Sequence, residues 1–367
     1  MRHVITTRRA ITLALAVTVL TAASASAHAQ QRAPQRATAG VDAPMTQSWT
    51  VHRTWNDAYE TEYGAFVATI GRAVAAGRCH TLARCLNDPT INPLFEHGAR
   101  PLNFRADCAD TPYTLRAFFS YRKGLPFAYA RRMAGVGHDV RYLREAHPEG
   151  VRLWTDFSTP RALLESIGSD VHSGYFRTAP TIEDSDFYQT TVDRSGIRPG
   201  TMYYDPNGHV LVVYEVAADG EILMFDGHPD NSLTHPHFTE RRPLGSMGQG
   251  GGFKNFRPFS YEGGRIVRAP NAAIPAFGGG TQFDHQRYAV AGQPVTFYAW
   301  IRAELATGSA TVAMQTATIR ARCATNCTAT DSARRSARNN PSAFAIPGRR
   351  RRMATPSATV SLARSDS

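Results

Sequence analysis

The stretch from Met202 to Phe225 constrains the fold more than any other part of this 367-residue chain. Met202-Tyr203-Tyr204 passes through Asp205-Pro206-Asn207-Gly208 into His209-Val210-Leu211-Val212-Val213-Tyr214-Glu215-Val216. Asp219-Gly220 then leads to Glu221-Ile222-Leu223-Met224-Phe225. Runs of β-branched and aromatic residues bounded by Asp, Asn, Pro and Gly are strands joined by tight turns, and here they predict an antiparallel meander. The middle run is apolar on both faces, with Leu211 and Val213 on the side of His209 and Val210, Val212 and Val216 on the other. A strand of that kind is central and buried, so its sheet needs cover on both faces.

Helices to supply that cover are visible on both sides of the meander. Trp55, Tyr59, Tyr63, Phe66, Val67, Ile70 and Val74 recur at three and four, which predicts a helix between Trp49 and about Gly77. The Cys79–Cys85 segment with Asn87-Asp88-Pro89 then reads as a stapled turn, and Pro93 to Pro101 as a loop. A second helix opens at Asp107 or Cys108, with Ala109, Leu115, Phe118, Phe119 and Tyr121 apolar, and ends at Gly124-Leu125-Pro126. Pro112 is tolerated only in a first turn, which moves the regular start towards Asp110. A shorter helix is expected around Pro160–Ile167. Pro294 is expected to open a last one, with Phe297, Trp300, Ile301 and Leu305 as core. The clusters at 127–130 and 151–154 stay unassigned. Gln249-Gly250-Gly251-Gly252-Phe253 lacks the Gly-Lys-Ser/Thr ending of a phosphate loop and reads as a flexible connection. The fold class is α+β, in one domain spanning 47–310.

Both ends fall outside that domain. Arg2, Arg8 and Arg9 precede an apolar run from Ala10 to Ala23 and the small residues of Ala25-Ser26-Ala27 and Ala27-His28-Ala29. This pattern marks residues 1–29 as a signal peptide, with 30–46 a flexible linker and no membrane-spanning segment left after cleavage. The protein is therefore expected to be exported, periplasmic or extracellular. Residues 311–367 form a cysteine-containing segment and a basic tail expected to be disordered. The formal charge of +11 belongs mostly to these ends: the leader contributes three charges and residues 331–367 six. A near-neutral body is not the basic face of a nucleic-acid-binding domain.

Five cysteines in an exported protein leave one unpaired. The simplest local pairing joins Cys79 to Cys85 and Cys323 to Cys327, although four cysteines allow three connectivities. Cys108 is then a free thiol in an oxidising compartment. At a helix start it would face unpaired N–H groups and the positive end of the helix dipole, the setting that makes a thiol a nucleophile. Its own N–H would serve an oxyanion hole. His209, at the mouth of the buried strand, is the candidate base. With an even-numbered loop at Ala217–Gly220, Asp226 and His228 lie on the same sheet face as His209, opposite or diagonal to it. Asp226 is the favoured orienting acid because it directly ends the return strand, and His228 is the reserve. The chemistry asks for no cofactor.

Phe104-Arg105-Ala106-Asp107-Cys108-Ala109-Asp110 resembles the Asp-Cys-Ser-Gly start of the catalytic helix in NlpC-type cysteine peptidases. Arg198-Pro199-Gly200-Thr201-Met202-Tyr203-Tyr204 and Gly208-His209-Val210 are similar to that family's Pro-Gly-Asp and His-Val strands. The order Cys, then strand His, then a polar residue on the next strand is also that of transglutaminase-like folds. The resemblance covers roughly residues 100–230. It implies a papain-like fold, with a Cys-bearing helix packed on an antiparallel sheet carrying His. It also implies cleavage of peptide bonds in cell-wall stems, so a peptide or peptidoglycan is the expected partner. Two features depart from the family: Ala109-Asp110 replaces Ser-Gly, and about a hundred residues separate Cys108 from His209.

Two other readings attach to the same residues. Asp226, His228, Asp230, His235 and His237 gather five potential metal ligands in twelve residues, without the His-x3-His or Cys-x2-Cys spacing of zinc sites. A papain-like fold that binds without turnover is the other, and the presence of Cys, His and acid together speaks against it.

Overall fold

A computed structural model describes residues 48–98 and 100–307. The leader, the whole of the linker, Cys323, Cys327 and the basic tail lie outside the described residues, as does any pairing of those two cysteines. Among the described residues no helix is long and apolar enough to cross a membrane.

The chain is α+β. Helices α1 (Asp57–Ala75), α2 (Leu82–Asn87) and α3 (Asp110–Lys123) come first, followed by a hairpin of β1 (Ala128–Val136) and β2 (Arg144–Leu153), then α4 (Pro160–Asp170). Strands β3 (Phe187–Gln189), β4 (Met202–Asp205), β5 (His209–Val216), β6 (Ile222–Gly227), β7 (Leu233–Thr234) and β8 (Gly252–Phe256) form one antiparallel sheet. Its order is β3-β8-β4-β5-β6-β7. A small hairpin, β9 (Phe259–Glu262) with β10 (Arg265–Arg268), a short pair, β11 (Ala289–Val290) with β12 (Gln293–Pro294), and α5 (Phe297–Leu305) complete the described residues.

The alternation read from the sequence sorts side chains onto two faces. Met202, Tyr204, Val210, Val212 and Phe225 join Val67 and Ile70 of α1 and Leu115 and Phe119 of α3 in one core. Tyr203, Leu211, Val213, Met224 and Phe253 pack with Phe297, Trp300, Ile301 and Leu305 of α5 in the other. A β-bulge between Val213 and Glu215 shifts the register. Tyr214 therefore stays in the first core, and Val216 packs against the second rather than beside Val210 and Val212.

Several boundaries differ from expectation for identifiable reasons. α1 starts at Asp57 because the Asn56 side chain accepts the Tyr59 N–H at 3.1 Å, an N-cap. Trp49 and Trp55 lie ahead of it and donate their indole N–H groups to the carbonyls of Leu125 and Pro126. The disulfide Cys79–Cys85 is present, but the segment it staples includes a short helix rather than a turn alone. The unassigned clusters are the paired root of the β1–β2 hairpin, with Ala128 opposite Leu153. The glycine run before Phe253 is not a flexible connection. Gly252 opens β8 between β3 and β4, and a Cβ on Gly250 would stand 2.5 Å from the Thr178 carbonyl oxygen. Pro294 precedes the last helix, which Thr296 caps.

Close packing also sets one stability prediction. A Cβ on Gly71 of α1 would lie 2.5 Å from Cγ of Tyr214. Gly71→Ala is expected to destabilise the fold by about 1–3 kcal/mol, through overpacking between α1 and β5. Chemical denaturation would measure it.

Candidate active site

The turn that presents Cys108 is built by two aspartates. The Asp107 carboxylate accepts the N–H groups of Ala109 at 2.8 Å and Asp110 at 3.2 Å, while the Asp107 N–H donates to Asp110 Oδ2 at 3.1 Å. This reciprocal bonding is a capping box. Physically the first turn begins at Asp107, with Cys108 next in line. Regular helix starts at Asp110 because Pro112 has no N–H to offer the Cys108 carbonyl. Cys108 is a free, half-buried thiol, and its backbone N–H meets no acceptor among the described residues.

β5 and β6 bring the other two residues to this turn. Gly208 lies 4.0 Å from the Cys108 sulfur through its carbonyl oxygen, so His209 enters its strand beside the thiol. His209 Nε2 is 2.6 Å from Asp226 Oδ2, and the Cys108 thiol is near enough to the same imidazole to help raise its pKa. With Nε2 held by the carboxylate, Nδ1 is the nitrogen open to sulfur. Gly227 allows the approach of β6, since a Cβ there would stand 2.7 Å from the Asp107 carbonyl oxygen. The loop after β6 is tied to the same turn. Asn231 Oδ1 accepts the Ala106 N–H at 3.1 Å, and Arg105 donates to the Pro229 carbonyl at 3.1 Å.

Asp226 is buried, at 1% exposure, and both its oxygens are engaged. Oδ2 serves His209, and Oδ1 accepts the Thr234 hydroxyl from the paired position on β7. His228 stands one step away. Its ring stacks on His209 with centroids 5.7 Å apart, its Nε2 meets Thr234 at 3.1 Å, and it is 3.7 Å from Asp226. Asp226, not His228, contacts the His209 ring nitrogen.

The charges reinforce one another. Burial acts to lower the His209 pKa, but the hydrogen bond to Asp226 and the nearby Cys108 thiol, with the charges of both, raise it from 6.5 to about 9. For Asp226, burial pushes upward. Hydrogen bonds from His209 and Thr234, and the charges of His209 and His228, outweigh it and hold the carboxyl below its ordinary value. A buried carboxylate facing an imidazolium is the arrangement that fixes tautomer and orientation for proton transfer.

Asp110 behaves differently. It is 5% exposed, its Oδ1 has no hydrogen-bond partner, and burial, followed by the Asp107 charge, pushes its pKa up to about 7. A raised carboxyl pKa contributes stability that is complete below about 3.8 and lost as pH rises through about 7. Asp110→Asn is therefore expected to flatten the fall in thermal stability between pH 4 and 7, as pH-dependent melting would show.

Residues outside the sequence reading complete the site: Thr234, Gly227 and the Asp107–Asp110 box. The Asp-x-x-Asp spacing around Cys108 was a usable signal for the last. The metal-ligand cluster read in the loop does not assemble. Asp230 turns to Ser232, His237 pairs with Glu221 at 3.0 Å, and no group of three or more His, Cys, Asp or Glu fit to hold a metal ion occurs among the described residues. Comparison with protein-family models, curated proteins and solved structures gives no match.

Proposed function

We propose that the chain is an exported cysteine hydrolase of papain-like arrangement, which cleaves an amide bond through Cys108, His209 and Asp226. The observation that carries this reading is convergence. A thiol from the start of α3 meets an imidazole and a carboxylate from a strand pair about a hundred residues further on, with 2.6 Å between the last two. A cell-wall peptide as substrate rests on the NlpC-type resemblance of the residues around Cys108 and His209.

In this mechanism His209 takes the Cys108 proton and the thiolate attacks the substrate carbonyl. The oxyanion finds the unengaged Cys108 N–H. The His209 imidazolium then protonates the leaving amine, and water cleaves the thioester. Incubation with purified peptidoglycan, followed by mass analysis of released fragments, tests the reading. New peptide ends are expected with the native chain and none with Cys108→Ala. Fragments that appear equally in both would refute it.

A further inference from the structure

The capping box around Cys108 is built from two groups of like charge. Such a box ordinarily joins a neutral Ser or Thr to an acid three residues on. Here both members are carboxyls. Asp107 Oδ1 accepts the N–H groups of Ala109 and Asp110, and Asp110 Oδ2 accepts the Asp107 N–H. Neither carboxyl has an ion-pair partner among the described residues. Asp110 is 5% exposed, and its Oδ1 is buried with no hydrogen-bond partner. A bare carboxylate oxygen in that position carries a desolvation cost that a proton removes.

The surrounding elements bring no cation to hold Asp110 ionised. α4 packs on α3 and turns Gly168 towards it, where a Cβ would stand 4.0 Å from Asp110 Oδ2. The charged groups of α4 are engaged elsewhere or lie in water. Arg161 donates to the Pro101 carbonyl, Asp170 accepts from Tyr129 and Ser166 and pairs with Arg152, and Glu165 is exposed. Ahead of the turn, Arg105 donates to the Pro229 carbonyl. After α4, His172 accepts the Gly174 N–H, and burial holds its pKa below the ordinary value. On the sheet side His209 is bonded to Asp226. Burial, and then the charge of Asp107, push the Asp110 carboxyl up to about 7.

We propose that Asp110 is a positioning residue for the nucleophile: it shares one proton with Asp107, which holds the Cys108 turn under a single negative charge, and loss of that proton sets a second carboxylate against the Cys108 thiolate. This role rests on the reading of Cys108 as nucleophile. A like charge disfavours a thiolate, so the reactivity of Cys108 drops as Asp110 ionises through neutrality, while His209 keeps its proton up to about 9. Asparagine at position 110 reproduces the protonated carboxyl, with an oxygen for the Asp107 N–H and an amide N–H for the Asp107 carboxylate. Iodoacetamide labelling of Cys108 in the native protein and Asp110→Asn, followed by intact mass between about pH 5 and 8.5, tests the role. The ratio of the two rates cancels the titration of the thiol itself. Native over Asp110→Asn is expected near one at the acid end and about fivefold lower at the alkaline end, the order of magnitude for one charge several ångströms away. A ratio constant with pH, at any value, overturns the role, because a purely structural part would act equally throughout. If Asp110→Asn does not fold, the carboxyl infrared absorption of the native protein decides. A protonated carboxyl lost between about pH 6 and 8 supports the role, and no protonated carboxyl at pH 6 overturns it. If Cys108 resists iodoacetamide in both proteins at every pH, the nucleophile reading fails and the role of Asp110 falls with it.

Discussion

Alanine in place of Cys108 is expected to abolish hydrolysis and leave the fold standing. Removal of a covalent nucleophile costs on the order of a millionfold in rate where the other groups remain. The structural cost is small for local reasons. The thiol is half-buried, and its hydrogen bond to the Gly208 carbonyl is long at 4.0 Å. The turn is held by Asp107 and Asp110 rather than by sulfur. Thermal midpoints of the two proteins should agree within a few degrees, corresponding to at most about 1 kcal/mol. A Cys108→Ala protein that retained full activity would place the chemistry elsewhere.

Loss of His209 is expected to be comparably severe, whereas Asp226→Ala should leave residual turnover, roughly a hundred- to ten-thousandfold below the native rate. Asp226 also carries structure. Its removal leaves one nitrogen of the half-buried His209 without its partner, at about 1–3 kcal/mol of stability. The pH dependence has a definite sign. The folded-state pKa of His209 is raised from 6.5 to about 9, so its contribution to stability is complete below about 6.5 and lost as pH rises through about 9. The same loss of the imidazolium removes the acid for the leaving amine, and activity should fall over that range. Asp226 is shifted the other way. Its contribution is present above about 3.8 and lost as pH falls through its lowered folded-state pKa. His228→Ala should cost little, because its contact with Asp226 is 3.7 Å and its nearer partner is Thr234. A larger effect from His228→Ala than from Asp226→Ala would transfer the orienting role to His228.

What the sequence revealed was set by how locally each feature is encoded. β5 was legible because a strand buried on both faces reads as a continuous apolar run. The shared face of His209 and Asp226 was reached although the connection differs from expectation. Five residues, Ala217–Glu221, join the strands instead of four, and the bulge between Val213 and Glu215 supplies the compensating residue. Parity alone cannot show two changes that cancel. The β1–β2 hairpin was missed because its outer half is exposed and carries no regular apolar alternation, so only the root reads as core. β8 was missed because glycines that permit close approach carry the same letters as glycines in a flexible loop. Thr234 lies on a two-residue strand, too short for any periodicity. Its bond to Asp226 depends on a register that only the folded sheet defines.

The central claim is that His209, oriented by Asp226, activates Cys108, and the rate of Cys108 alkylation by iodoacetamide at pH 7 tests it most directly. The native protein is expected to react at least about a hundredfold faster than His209→Ala, with Asp226→Ala between them. Equal rates in the native protein and His209→Ala, with both folded, would contradict it.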